Sequence, residues 1–502
     1  MAAARRVPRR RVAAAVGAGV LPAAAAVTLA LAAFASGYGY HRDELYFVAA
    51  GRHLAWAYAD QGPLTPLIAR AMTEVAPGSL TVLRLPSAIA AGLVVLLTGM
   101  LARELGGGRR AQSIAAACAA VAAVVLFTGH TLSTSTFDLL VWTTVSWLAV
   151  RAVRTGDDRL WLAAGAVLGA GLLNKPLPAF LAAGLLAGIV LAGPRRLLRA
   201  RPVWAGGALA LALWSPWIVW QARHGWPQID VSRSIAAGQS ASSQPWWAIV
   251  PFQFLLVSPL LAPVWIAGLV RLLRDPELRS VRFIAWAWVV LAVVFMATGG
   301  KPYYLAGLLP VLLASGALAV DGWLERGRIR VRRALLVGAI AVSAAVDVVI
   351  ALPVLPSRSA GPVVAVNADV GETIGWPELA RTVAGVARRL PGGQRGAVIL
   401  TRNYGEAGAI DRYGSALGLG LARAYSGHNA YGDWGPPHDG AAPVIAVGLH
   451  PAEVAHLRDC RAAARIDNRA RIENDERGKV VLVCPGPRRS WSREWPALRH
   501  LG

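Results

Sequence analysis

Two adjacent carboxylates, Asp43 and Glu44, stand in the stretch Gly39-Tyr40-His41-Arg42-Asp43-Glu44-Leu45-Tyr46-Phe47, directly after the first long apolar run. Paired acids beside a histidine and an arginine are equipped for proton transfer, where a positioned carboxylate contributes roughly 10²–10⁴-fold. Acids in a first helical turn also favour the helix dipole, so the pair has a purely structural reading as well. Neighbouring residues on a helix diverge by roughly 100°, so the two cannot share one task. Asp43 is assigned as the base and Glu44 as a supporting or orienting group.

The second signal is lysine. Arginine supplies nearly all the positive charge, and the chain has only Lys175, Lys301 and Lys479. Lys175 and Lys301 occupy equivalent settings, Asn174-Lys175-Pro176 and Gly300-Lys301-Pro302, each between apolar runs. Proline suits the start of a returning helix because its missing N–H is not needed there. A lysine just ahead of a helix N-terminus combines an ammonium with free N–H groups and the dipole, which is an anion site. Interfacial snorkelling is the alternative, but it gives no reason to prefer lysine over arginine. Asp138 falls at the start of a predicted span, where a charge either faces a cavity or caps the helix. Asp60, in Asp60-Gln61-Gly62-Pro63, is a substrate-binding candidate that turn chemistry explains equally well.

Other signals are weaker. His41, His53 and His130 lack the close spacing of a metal site, so no metal ligand is assigned and a divalent cation is left open. No phosphate-binding Walker loop, dinucleotide fingerprint or hydrolase elbow is present. Trp226, Trp376 and Trp434 fall in polar segments, where aromatic faces stack on sugars, although surface packing is the simpler reading.

The elements that must position these residues are read from composition. Of 502 residues, 55% are hydrophobic and 16% charged, with a net charge of +23. A soluble domain carries about 25% charged residues. Apolar runs of bilayer length recur, so the fold class is a polytopic α-helical membrane protein with about eleven spans. Arginine clusters lie between the runs, at Arg5–Arg11, Arg151–Arg159, Arg195–Arg201 and Arg326–Arg333. That pattern places them in the cytoplasm and removes the need for a nucleic-acid partner. The predicted spans are 12–35, 84–103, 112–129, 138–150, two within 160–192, 203–221, one ending near 271, 283–298, one from the 299–302 turn to about 320, and 334–352. With the N-terminus cytoplasmic, Asp43, Lys175 and Lys301 all fall on the outer side. An outer loop at 36–84 carries short interfacial helices. Asp347 lies deeper, within the last span.

The transmembrane unit covers 1–352. Beyond it, 353–502 reads as an extracytoplasmic α/β domain. Apolar runs at 397–400, 444–449 and 480–483 have strand length, and helical patterns fall at 376–390 and 404–413. In an extracytoplasmic setting Cys460 and Cys484 are candidates for a disulfide; Cys118 lies in an apolar span.

The acidic pair, Asp60-Gln61-Gly62-Pro63-Leu64, Arg84-Leu85-Pro86-Ser87 and Lys301-Pro302-Tyr303-Tyr304, in this order, resemble the GT-C glycosyltransferases. The resemblance covers about 36–320 and is nearest the bacterial branch of aminoarabinose transferases and relatives of protein O-mannosyltransferases. It implies an inverting transferase of EC class 2.4. The donor would be a polyprenyl-phosphate-linked sugar, and the acceptor a hydroxyl of a lipid, polysaccharide or protein at the outer face. The resemblance makes Asp43 the catalytic carboxylate. It puts Lys175, Lys301 and Arg84 on the lipid phosphate, uses Asp138 to shape the site, and lines it with Tyr303 or Tyr304. One departure is the lack of a lysine in the Asp60-Gln61-Gly62-Pro63 segment, so that either Lys175 or Lys301 substitutes or the donor is held differently. Competing readings are a lipid or sugar transporter or flippase, which predicts broken helices at the midplane, and a non-catalytic cell-envelope assembly factor.

Overall fold

The computed structural model describes residues 16–238, 243–391 and 396–501. The Arg5–Arg11 cluster and positions 12–15 of the first expected span lie outside the described residues. Among those described, five helices are long and apolar enough to cross a membrane: Leu80–Glu104, Thr134–Thr155, Arg201–Arg223, Pro302–Glu325 and Ile329–Ala351. Four shorter apolar helices, Val20–Phe34, Arg159–Leu172, Pro178–Ala192 and Phe283–Thr298, accompany them. Two expected straight spans are instead bent pairs. Arg109–Ala120 meets Ala123–His130 at 55°, and Trp246–Val257 meets Pro259–Arg274 at 93°. The second bend is made at Ser258 and Pro259. Ser258 sits at φ 92 and Pro259 has no N–H to continue the helix.

Arg201–Arg223 and Ile329–Ala351 turn most of their apolar surface outward, including Leu209, Leu211, Val219, Leu335 and Val337. Exposed apolar surface of this extent has no aqueous explanation and suits lipid. The chain is a multi-pass membrane protein. Its interior is packed by Trp142, Trp265, Phe283 and Phe295. Gly307 lies directly against the Trp142 ring, where a Cβ would come within 2.5 Å.

One end of the bundle carries the helices Arg42–Arg52 and Leu64–Val75 and, on them, the C-terminal domain. Among its described residues that domain has five strands, β1 (Val398–Thr401), β2 (Ala424–Ser426), β3 (Val444–Val447), β4 (Arg461–Arg465) and β5 (Val480–Cys484). Their order is β2-β1-β3-β5-β4. β1 pairs in parallel with β2 and β3, while β5 is antiparallel to both β3 and β4. The expected helices are present as Trp376–Arg388 and Tyr404–Ala416. Cys460 and Cys484 form a disulfide across 24 residues, and Cys118 is a buried free thiol. Trp376 is buried and donates its indole N–H to the Glu372 carbonyl, so it belongs to the domain core and is not a sugar platform.

The domain docks by laying Tyr404–Ala416 on Arg42–Arg52. Gly405 and Gly408 permit the approach: a Cβ there would stand 2.7 Å from Arg42 Cγ and 2.9 Å from Leu45 Cβ. The Tyr46 and Tyr404 rings stack with centroids 4.5 Å apart. The Arg42–Arg52 helix is itself fixed by Glu44, which is fully buried. Arg84 Nε and Nη2 donate to its two carboxylate oxygens at 2.8 Å each. The backbone N–H groups of Leu132 and His41 donate to the same carboxylate, also at 2.8 Å.

A buried charge stripped of its partner costs about 3–5 kcal/mol. Arg84→Met is therefore expected to lower the melting temperature of the detergent-solubilised protein sharply, and Glu44→Gln with Arg84→Met to recover part of the loss. A single Arg84→Met variant that melts like the parent would show the pair to be dispensable.

Candidate active site

Asp43 and Glu44 point apart, and only Asp43 is open. Its side chain is 39% exposed, against 0% for Glu44. The first turn is set by a capping box: His41 Nδ1 accepts from the Asp43 N–H at 3.2 Å, and Glu44 returns to the His41 N–H. Asp43 Oδ1 then accepts from the Tyr404 hydroxyl at 2.8 Å, and Arg42 Nε lies 3.8 Å from the same oxygen. Burial works to raise the Asp43 carboxyl, but His41, Arg42, the Tyr404 hydroxyl and Lys301 together hold it below the usual carboxylate range. It is ionised, and its charge faces Lys301.

The two sparse lysines reach this region from separate turns. Lys175 rides on a turn pinned from three directions. Asn174 Nδ2 donates to the Thr134 carbonyl at 2.8 Å, and Asn174 Oδ1 accepts from Thr65 Oγ1 at 2.6 Å. The Gly62 and Leu64 N–H groups donate to the carbonyls of Asn174 and Leu173. Gly62 must be glycine here, since a Cβ would stand 2.0 Å from the Leu173 carbonyl oxygen. The Lys301 turn is held by Gln253 Nε2, which donates to the Pro302 carbonyl at 2.8 Å. Lys175 Nζ lies 5.4 Å from the Tyr303 ring centroid and 5.3 Å from that of Tyr304. Burial, with the like charge of Lys175, lowers the Lys301 ammonium to about 8, while Asp43 opposes the fall. Asp138, buried near the start of Thr134–Thr155, lies within electrostatic reach of Lys175. Asp43, Lys301, Lys175, Asp138, Tyr303 and Tyr304 are thus one neighbourhood.

Arg84 is not part of it. The expected phosphate contact is corrected, because its Nη1 donates to the Ala35 carbonyl and its Nη2 to the Gly39 carbonyl, at 2.7 Å each. Its remaining N–H groups meet Glu44 and face His130 Nε2 at 3.4 Å. No donor is left for a ligand. Glu44, expected as an orienting group for the chemistry, is consumed by the same pairing and supports Asp43 through the helix alone. Asp60 is also engaged, accepting from the Tyr46 hydroxyl at 2.8 Å and from Asn429 Nδ2 at 2.9 Å. Burial pushes its carboxyl up to about 6, although those hydrogen bonds oppose the rise.

The residues that sequence reasoning missed come mostly from the C-terminal domain. Tyr404 and Asn429 reach Asp43 and Asp60 from 361 and 369 positions away. No local pattern announces them. Gln61 was visible only as a motif letter. Its amide is buried and neither polar atom has a hydrogen-bond partner among the described residues. Such a group calls for a ligand or water. Trp226 is partly exposed at φ 61, and Trp434 stacks on His53. Among the described residues no three His, Cys, Asp or Glu side chains are grouped to hold a metal ion.

Comparison with known proteins bears on this geometry. The family model described as dolichyl-phosphate-mannose-protein mannosyltransferase matches residues 60–220. The chain is 29% identical over 261 residues to an undecaprenyl phosphate-alpha-4-amino-4-deoxy-L-arabinose arabinosyl transferase of Pseudomonas fluorescens. That match takes in 48% of this chain and 45% of the relative, so it spans under half of the relative's length. The crystal structure of ArnT from Cupriavidus metallidurans bound to undecaprenyl phosphate superposes with a TM-score of 0.59 at 16% identity, covering 92% of this chain and 97% of that one. The Archaeoglobus fulgidus oligosaccharyltransferase gives 0.51 at 13% identity, over 78% of this chain and 61% of its own. The chain thus shares its fold with these membrane-embedded transferases, and over residues 60–220 it is similar to the mannosyltransferase family model.

Proposed function

We propose that this protein transfers a sugar from a polyprenyl-phosphate-linked donor to an acceptor hydroxyl, with inversion, at the outer face of the bacterial plasma membrane. The observation that carries the reading is the meeting of an open, ionised Asp43 with Lys301 and Lys175 at the end of the helical bundle. The names of the relatives support a lipid-phosphate donor of this kind. The Cys460–Cys484 disulfide supports an extracytoplasmic C-terminal domain, since such bonds persist in oxidising compartments.

In this mechanism Asp43 takes the proton of the acceptor hydroxyl as its oxygen attacks the anomeric carbon. The bond from that carbon to the phosphate oxygen breaks, and the polyprenyl phosphate leaves. Lys301 and Lys175 meet the negative charge growing on that phosphate, as fixed charges in a dry site do. Tyr404 holds Asp43 in one orientation and Arg42 keeps it ionised. Gln61 offers its unpaired amide to the sugar. Asp138 and the Tyr303–Tyr304 pair set the position of Lys175.

Asp43→Asn keeps the shape and removes the base. Its turnover with a polyprenyl-phosphate sugar is expected to fall roughly 10²–10⁴-fold, with donor affinity retained. Parental turnover in a folded Asp43→Asn protein would end this reading.

The Lys301 ammonium adds a pH signature. Its proton is lost as pH rises through about 8, so kcat/KM for the donor is expected to fall above that pH. Arginine stays protonated, and Lys301→Arg is expected to move this limb upward. An unchanged limb in Lys301→Arg would remove Lys301 from the phosphate site.

A further inference from the structure

A cavity lies away from Asp43, at the far end of the seam between Arg42–Arg52 and Tyr404–Ala416. It measures about 620 Å³, within the size range of small-ligand sites. Asp43 and Arg52 are nine residues apart on one helix, which sets the cleft about 14 Å from the base at the usual rise of 1.5 Å per residue. Arg52 and Arg423 line it from opposite elements. Neither guanidinium has a hydrogen bond or an ion pair within 4 Å among the described residues; Arg423 lies over the Tyr425 ring, 5.5 Å from its centroid.

The balance of charge in the cleft is positive. Burial lowers the His53 imidazole below its ordinary value, and Arg423 and Arg52 press it further, so His53 adds no third charge. Asp411 is the acid of the lining, and it is already committed. It accepts from the Ala424 N–H at 2.9 Å and from the Tyr431 hydroxyl at 3.4 Å. Asp411 lies within electrostatic reach of both guanidiniums, so the lining sets two forked donors against one carboxylate that is already hydrogen-bonded. The rest of the lining is mostly glycine, alanine and leucine, with one aromatic patch where Trp434 stacks on His53 at 4.4 Å and with the Ser415 hydroxyl. Arginine forks match phosphate oxygens in pairs, and an aromatic wall suits the apolar face of a sugar ring.

We infer that this cleft binds a phosphorylated sugar belonging to the acceptor, gripped by Arg52 and Arg423 against the His53–Trp434 wall. The inference rests on the transferase reading and gives it an acceptor class: a phosphate-bearing glycan long enough to extend from the cleft to Asp43. Its anionic unit is a handle, remote from the reacting hydroxyl.

The test uses the full chain in detergent, with mannose 6-phosphate as the probe and calorimetric titration at low salt as the readout. Charge-assisted hydrogen bonds are the stronger kind, so Arg52→Gln with Arg423→Gln is expected to weaken binding at least tenfold. Arg461→Gln with Arg469→Gln, exposed arginines elsewhere on the domain, is expected to bind like the parent. Mannose is expected not to bind, and inorganic phosphate to bind more weakly than the sugar phosphate. Equal affinity in the Arg52/Arg423 variant would overturn the site, and phosphate binding as well as mannose 6-phosphate would overturn the sugar part. Both results are independent of turnover, so they can fail while Asp43→Asn behaves as expected, and the reverse.

Discussion

Arg84 is the point on which the extramembrane end of this molecule is hung. Its guanidinium joins the end of the first apolar helix at Ala35, the following loop at Gly39, the Arg42–Arg52 helix at Glu44, and the break after His130. Removing two charges from water is costly, and the attraction repays it only with every N–H and lone pair matched. Here the match is nearly complete, with a two-pronged contact and two further backbone donors on Glu44. The direction in which Glu44 points is thereby fixed, and with it, through the helix, the direction of Asp43. The ion pair does no chemistry; it aims the residue that would.

A second constraint is the way three turns are brought to one place. The Asp60–Pro63 loop, the Asn174–Pro176 turn and the Gly300–Pro302 turn come from distant parts of the chain, and each is tied by side-chain amides to backbone. Asn174 fastens the first two together, Gln221 Nε2 anchors the first by donating to the Tyr58 carbonyl at 3.0 Å, and Gln253 secures the third. Amides suit this work because they donate and accept without adding charge beside a site whose electrostatics are already set. The C-terminal domain closes the arrangement with neutral groups as well. The Tyr404 hydroxyl goes to Asp43 and the Asn429 amide to Asp60, while Tyr46, Tyr404, His428 and His500 form a continuous stack of rings.

The sequence made the membrane class readable because bilayer crossing leaves a long, repeated composition signal. The expected spans fall on apolar helices, but two of them bend, and a bend at Ser258 depends on a positive φ that no residue type dictates. In the C-terminal domain β1, β3 and β5 were visible as short apolar runs. Strand β2 has three residues, and β4 reads Arg-Ala-Ala-Ala-Arg, so neither carries a hydrophobic pattern. For the site, the rarity of lysine and the paired acids were informative because they break a local rule. Arg84 misled because a conspicuous arginine beside a predicted outer loop looks the same in sequence whether its partner is a ligand or a buried glutamate. Tyr404 and Asn429 were illegible, as their roles exist only after the domain docks.

Lys301 sits in an unfavourable place without a ligand, and that is the physical reason to regard its surroundings as built for an anion. Burial disfavours its charge, and Lys175 disfavours it again. Asp43 offers partial relief, yet that carboxylate is shared with Arg42 and Tyr404. A phosphate entering between the lysines would cancel their repulsion and raise the Lys301 ammonium back toward its ordinary range, so binding and protonation would reinforce each other. Arginine would remain charged throughout and would lack that dependence. The use of lysine in a chain otherwise served by arginine would then follow from electrostatics, since its proton affinity would respond to what occupies the site.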